Sequence, residues 1–128
     1  MKPQLKEPYQ ALAQLYARFR QAGPAAQVLK NAIENHPEHY EFKRDLGQVY
    51  DGQGQFSSSI PLYESAHTLD PSDATVIFLL AQAYFKMGDA RSAEVYARKF
   101  LQQGARADKL EVLAAKKMLL DIKKPTSP

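Results

Sequence analysis

Apolar residues recur three and four positions apart along most of the chain, which is the spacing of one face of a helix. Glycine and proline residues divide this pattern into segments of helical length. The pattern predicts seven helices and requires no strand, at roughly 5–22, 24–35, 38–53, 56–69, 72–87, 90–103 and 107–123. The predicted fold class is therefore all-α.

Three positions between these segments predict turns. In Gly23-Pro24, glycine favours the left-handed end of one helix and proline favours the first turn of the next. Gly54 and Gly88 occupy the equivalent place in later segments. After Pro71, the side chain of Ser72 or Asp73 is expected to cap a helix N-terminus.

The sequence repeats itself with a period of 34 residues. A leucine, a small residue and a tyrosine recur in register as Leu12-Ala13-Tyr16, Leu46-Gly47-Tyr50 and Leu80-Ala81-Tyr84. The small residues are expected where the two helices of one unit cross closely, opposite Ala25, Ser59 and Ala93. Each hairpin alone leaves an apolar face uncovered, and stacked hairpins bury these faces.

This pattern resembles the tetratricopeptide repeat (TPR) family, whose unit is a 34-residue helix–turn–helix. The resemblance covers about residues 6–107. The family's signature positions fall on Tyr9, Leu12, Ala13, Tyr16, Ala25, Leu29, Ala32 and Pro37, then on Lys43, Leu46, Gly47, Tyr50, Ser59, Tyr63, Ala66 and Pro71, then on Ile77, Leu80, Ala81, Tyr84, Ala93, Ala97, Phe100 and Ala105. Departures are Lys43, the order of Ala97 and Phe100, and Ala105 in place of proline.

The resemblance implies a right-handed α-α superhelix, a solenoid of three hairpins closed by a C-terminal solvating helix. Within a single domain, 1–128, we expect repeats at about 6–39, 40–73 and 74–107, a capping helix at about 108–123 and a tail at 124–128. The last repeat would pack against the cap, which accounts for its atypical residues.

The resemblance also implies a concave groove built from the first helix of each repeat, and hence a non-catalytic scaffold or adaptor that binds a peptide or protein segment. The candidate groove residues are Gln10, Gln14, Arg44, Gln48, Thr75, Phe78, Gln82 and Phe85. Glutamine amides can pair with the backbone of an extended peptide, and aromatic rings commonly anchor interfaces. The alternative is that the glutamines are solvated helix formers and that the phenylalanines pack beneath the last helix.

One partner class is not expected. Family members that bind the free carboxylate of chaperone tails use lysine, asparagine and arginine at five groove positions. This chain has Gln10, Gln14, Asp45, Thr75 and Leu79 there. Without those cations, and with a repelling carboxylate, binding of a chaperone C-terminal tail is not expected.

The last predicted helix has a wide apolar band, which suggests a second function. Part of this band would cover the third repeat, and the rest would meet another chain. The alternative to an adaptor is therefore a self-associating assembly subunit, or a fragment of a longer repeat protein, with Leu119 and Ile122 as candidate contacts.

Composition excludes several chemistries. Among 128 residues there is no cysteine, so disulfides, thiolate catalysis and Cys-ligated metals are excluded. The net charge is +3 but uneven, because residues 86–128 carry 10 basic and 5 acidic side chains. A solvated face is the usual explanation of such a basic end, and nucleic acid is not expected because no exposed aromatics alternate with the basic residues.

No catalytic motif is found, and we expect no enzyme and no cofactor. The densest group of possible ligands is His36-Pro37-Glu38-His39, but the sequence offers no convincing third ligand near this turn and no familiar metal-site spacing, so no metal is expected. No segment resembles a signal peptide or a membrane span, which favours a cytoplasmic protein that does not contact membranes directly.

Overall fold

The computed structural model describes residues 6–103 and 108–123, and within these ranges the chain forms seven α-helices and no strand. The helices are α1 (Lys6–Arg18), α2 (Ala22–Asn35), α3 (Tyr40–Gly52), α4 (Phe56–Leu69), α5 (Ala74–Met87), α6 (Ala90–Gln102) and α7 (Lys109–Lys123). The all-α prediction is confirmed. Ala105 and the predicted tail 124–128 lie outside the described residues. None of the described helices combines the length and the apolar composition needed to cross a bilayer.

The joint between α1 and α2 lies earlier than the sequence predicted. Arg20 adopts a left-handed conformation with φ 59°, and the Gln21 N–H donates to the Tyr16 carbonyl at 2.8 Å, which closes the end of α1. Gly23 and Pro24 lie inside the first turn of α2, where a proline removes no helical hydrogen bond. The predicted joint at Gly23-Pro24 is therefore wrong, because an arginine takes the conformation expected of glycine.

The other two joints follow the prediction. Gly54 and Gly88 have φ values of 74° and 92°, which residues other than glycine rarely adopt. Asp73 caps α5, and its carboxylate accepts from the Thr75 N–H at 2.9 Å. Asp89 caps α6 in the same way, and hydrogen bonds from the Ser92 backbone and hydroxyl lower the pKa of this carboxyl.

The chain divides into two compact units, Met1–Asp70 (unit 1) and Pro71–Pro128 (unit 2). In unit 1, α1 pairs with α2, α3 pairs with α4, and α2 packs against α3. Its main core consists of Ala13, Ala26, Leu29, Ala32, Phe42 and Leu46. In unit 2, α5 pairs with α6, and α7 packs mainly against α6. Two clusters form its core, Ile77, Phe78, Phe100 and Ala115, and Ala81, Ala93, Ala97 and Met118.

The α3–α4 hairpin shows why a small residue recurs at the helix crossings. A Cβ atom on Gly47 would lie 2.5 Å from Cε1 of Tyr63. Tyr63 is fully buried, and its hydroxyl donates to Oδ2 of Asp51 at 3.0 Å. Burial and the neighbouring carboxylate together raise the pKa of this phenol far above its usual range. The tyrosine ring thus occupies the space that any side chain at position 47 would need.

Two polar contacts connect α1 with α3, the first helices of the two hairpins of unit 1. Lys6 Nζ pairs with Glu41 Oε2 at 2.6 Å, and Gln10 Nε2 donates to Asp45 Oδ2 at 3.1 Å. Gln10 follows Lys6 by four residues and Asp45 follows Glu41 by four residues, so the two contacts lie one helical turn apart. Partial burial raises the pKa of the Glu41 carboxyl, but the hydrogen bond and charge of Lys6 outweigh it and leave the pKa below its usual value.

We predict that Gly47→Ala lowers the free energy of unfolding by about 1–3 kcal/mol, because the added methyl group forces Tyr63 out of its site. Urea denaturation followed by circular dichroism measures this change. Gly52→Ala is the matched control, since a Cβ there meets open space and alanine is the better helix former. Equal destabilisation of both variants would contradict the steric explanation.

We predict that Glu41→Gln is less stable than the native chain at neutral pH and that the difference disappears in acid. The folded-state pKa of Glu41 lies below its ordinary value of 4.5. Its carboxylate therefore adds stability above that value, and the contribution is lost as the pH falls through the folded-state pKa. Urea midpoints measured from neutral to acidic pH test this, and Lys6→Gln should reproduce the profile. A difference that stays constant with pH would contradict it.

Candidate functional site

One turn beyond these two contacts, the equivalent side chains of α1 and α3 are not paired. Gln14 and Gln48 are both exposed, and neither amide has a hydrogen-bond partner among the described residues. They lie on the rim of a cavity of about 180 Å³. Its lining residues are Gln10, Ala13, Gln14, Ala17, Leu29, Asp45, Gln48 and Val49. The cavity thus has an apolar floor and a rim made of three amides and one carboxylate.

A second cavity, of about 460 Å³, adjoins the first in unit 1. It is lined by Ala17, Arg20, Ala22, Gln48, Val49, Gly52 and Gln53. Because Ala17, Gln48 and Val49 line both cavities, the two form one continuous depression between α1 and α3, which we term the unit 1 groove.

The structure brings Gln10, Gln14 and Gln48 together in this groove, but not Arg44. The Arg44 guanidinium pairs with Asp45 Oδ1 through Nε at 3.1 Å, and it lies 5.8 Å from the centre of the Tyr40 ring. Arg44 therefore lines neither cavity, but it balances the charge of Asp45, which does. From the sequence, Asp45 is expected only to repel an anionic tail; its place on the rim depends on the packing of α1 beside α3.

The other four candidate residues lie on α5, in unit 2: Thr75, Phe78, Gln82 and Phe85. Phe78 is only 7% exposed, and its ring centre lies 5.4 Å from that of Phe100 in the cluster that includes Ala115 of α7. Phe78 is therefore not the accessible anchor that the sequence led us to expect. It packs beneath the last helix, which is the alternative given above. Phe85 is 38% exposed and remains accessible.

The apolar band of α7 divides into a packed face and an exposed face. Leu119 and Ile122 are partly buried against the cluster around Met118. The exposed leucines are Leu110, Leu113 and Leu120, at 76%, 63% and 65%. Their spacing places them on one side of the helix. The candidate contacts Leu119 and Ile122 are thus partly buried, whereas these three leucines are exposed.

Within the described residues, one group of side chains has the composition of a metal site. His36, Glu38 and His39 each offer a ligand atom, and these atoms lie within 4.8 Å of one another. All three belong to the turn between α2 and α3, which we term the histidine turn (residues 36–39).

Comparison with known proteins places this fold in a family. The model of the tetratricopeptide repeat family matches residues 52–119, more than half of the chain. Tetratricopeptide repeat protein 8 of Caenorhabditis elegans is 24% identical over 106 residues, which are 83% of this chain and 21% of that protein. The chain therefore spans about a fifth of the length of this curated relative.

Several solved structures have a similar fold. The type III secretion chaperone SycD of Yersinia enterocolitica, in complex with a peptide of the translocator YopD, superposes with a TM-score of 0.83 at 20% identity and 91% coverage of both chains. The first TPR of Spaghetti (RPAP3), bound to the HSP90 peptide SRMEEVD, gives 0.81 at 11% identity and 91% coverage of both. These likenesses confirm the predicted fold class, an all-α solenoid of tetratricopeptide hairpins, and together with the family match they show that the chain belongs to the tetratricopeptide repeat family.

Proposed function

We propose that this protein is a non-catalytic interaction scaffold that binds an extended peptide segment of a partner protein in the unit 1 groove. The observation that carries the proposal is the convergence of Gln10, Gln14 and Gln48 on one cavity with an apolar floor. Pockets of this kind, mostly apolar with a few placed polar groups, are typical of binding sites.

The groove residues suggest how such a peptide would be held. Gln14 and Gln48 each offer an amide donor and acceptor to the peptide backbone, and neither amide has a partner among the described residues. An apolar side chain of the peptide would enter the cavity above Leu29 and Val49. The amides would then set the register of the peptide, and the apolar contact would supply most of the affinity.

At the first cavity the rim favours a segment without acidic side chains, whereas Arg20 places a positive charge on the second cavity. Asp45 is the charged residue lining the first cavity, and no lysine or arginine of the described chain lines it. The Spaghetti domain is described with the acidic peptide SRMEEVD, whereas this groove would repel an acidic side chain placed beside Asp45. We therefore propose a partner segment other than a chaperone C-terminal carboxylate tail.

The related structures support peptide binding as the general mode. SycD is described in complex with a peptide of YopD, and the Spaghetti domain with an HSP90 peptide. The same proposal includes a cytoplasmic location and a role in complex assembly. It also includes the repeat limits 6–39, 40–73 and 74–107 and the involvement of Thr75, Gln82 and Phe85.

We predict that Ala17→Trp abolishes peptide binding in the groove and leaves the fold intact. Ala17 is exposed and lines both cavities, so an indole at this position fills them without entering the core. Peptides selected from a random phage-displayed library on the native chain serve as the probe, and affinity is measured by isothermal titration calorimetry. Gln48→Ala should weaken the same binding, because it removes one register contact.

Ala11→Trp is the matched control, since Ala11 is also exposed on α1 but lines neither cavity. It should bind the selected peptides as the native chain does. If both tryptophan variants retain full affinity, the unit 1 groove is not the binding site.

Self-association is the second candidate function, and the exposed leucine face of α7 favours it. A second copy of the chain that packs its own Leu110, Leu113 and Leu120 against this face would cover these side chains by twofold symmetry.

For this second function, we predict a mass above 14.4 kDa that rises with concentration, and a monomer for Leu113→Lys. A lysine at the centre of the leucine face places a charge in the contact, which opposes association. Light scattering coupled to size-exclusion chromatography measures the mass. Val95→Lys, at an exposed apolar residue of α6, is the control. A native chain that stays at 14.4 kDa at all concentrations would contradict self-association.

A further inference from the structure

The histidine turn joins two helices through side chains that bind metals well. His36 is the C-terminal cap residue of α2, and His39 is the N-terminal cap residue of α3. Glu38 lies between them, with Oε1 at 3.7 Å from His36 Nδ1 and 3.4 Å from His39 Nε2. The carboxylate therefore faces both imidazole rings.

These distances suit a shared ion better than direct hydrogen bonds. Hydrogen bonds between such groups are usually near 2.7–3.2 Å, so both separations are long for them. Around a tetrahedral ion with bonds of about 2.0–2.2 Å, neighbouring ligand atoms lie roughly 3.3–3.6 Å apart. The three ligand atoms all lie within 4.8 Å of one another, and small side-chain rotations would close the widest pair around an ion.

Packing already orients the two histidine rings. The side chain of His36 is only 14% exposed, and its ring lies edge-on to Tyr9 with centres 6.0 Å apart. The ring of His39 lies edge-on to Phe42 at 5.8 Å. Because little rotational freedom remains to be lost, binding of an ion would cost little conformational entropy.

Burial also selects the ligand nitrogen of His36. Its Nε2 atom is buried and has no hydrogen-bond partner among the described residues. Its Nδ1 atom is the one that faces Glu38. The side chain of Glu38, by contrast, is 64% exposed and can adjust to the ion from the solvent side. The turn thus combines two oriented donors with one adaptable donor.

We propose that the histidine turn binds a borderline divalent cation such as Zn²⁺ through His36, Glu38 and His39. Two imidazoles and one carboxylate form a donor set that suits zinc and its neighbours, whereas Mg²⁺ and Ca²⁺ prefer oxygen ligands alone. Water would complete the coordination. From the sequence no metal is expected here for want of a convincing third ligand, whereas in the folded turn Glu38 lies between the two histidines and supplies that ligand.

The bound ion would clamp the end of α2 to the start of α3. These two helices belong to different hairpins of unit 1, and they pack against each other beside the core that includes Phe42. A ligand that binds the folded turn and not the unfolded chain stabilises the folded state. This role does not depend on the proposed peptide-binding function.

Calorimetric titration of ZnCl₂ into the full chain, prepared without a histidine tag, tests the site, with MgCl₂ as the comparison cation. We expect one Zn²⁺ per chain and no binding of Mg²⁺. His39→Gln and Glu38→Gln should each weaken zinc binding by at least about tenfold, because each removes one ligand. His39 makes no side-chain capping hydrogen bond to α3, so its replacement removes no helix cap.

His67→Gln is the matched control, because it removes a histidine of α4 that is not part of the cluster. Its zinc affinity should equal that of the native chain. Absence of zinc binding to the native chain, or unchanged binding by His39→Gln, would overturn the site.

Thermal unfolding tests the clamp. Zinc should raise the Tm of the native chain relative to EDTA and leave that of His39→Gln unchanged. If zinc binds without changing the native Tm, the clamp is overturned, because the ion then binds the unfolded turn equally well.

Discussion

The close crossing of paired helices is the constraint on which the rest of the structure depends. At the α3–α4 crossing, the Tyr63 ring takes the volume that a side chain at Gly47 would need, and its hydroxyl reaches Asp51 on the facing helix. A large side chain at the crossing would separate the helices and uncover both apolar faces. The small residues of the repeat therefore determine how near the paired helices of a hairpin come.

In unit 1, the contacts between α1 and α3 change from one turn to the next. Lys6 pairs with Glu41, and Gln10 donates a hydrogen bond to Asp45. One turn further, Gln14 and Gln48 flank a cavity instead of closing it. The same helix surfaces thus pair with each other at one end and, one turn further, line the unit 1 groove, where we propose that a peptide binds.

Unit 2 uses its apolar residues differently. Ala97 and Phe100 depart from the order usual in the family, and both are fully buried. The Phe100 ring meets Phe78 in a cluster that Ala115 of α7 completes. An aromatic pair that elsewhere could line a groove is here part of the core beneath the closing helix. The exposed leucines of α7 are what this packing leaves uncovered.

Local sequence patterns were sufficient to predict the helices, the repeat period and the joints at Gly54 and Gly88, because each depends on residues close together in the chain. The same patterns misplaced the first joint, because Arg20 reaches the left-handed conformation through the backbone bond that closes α1. Only tertiary packing decided that Phe78 is buried and that Glu38 faces two histidines. These facts depend on side-chain directions across helices and turns, which a repeat pattern does not encode.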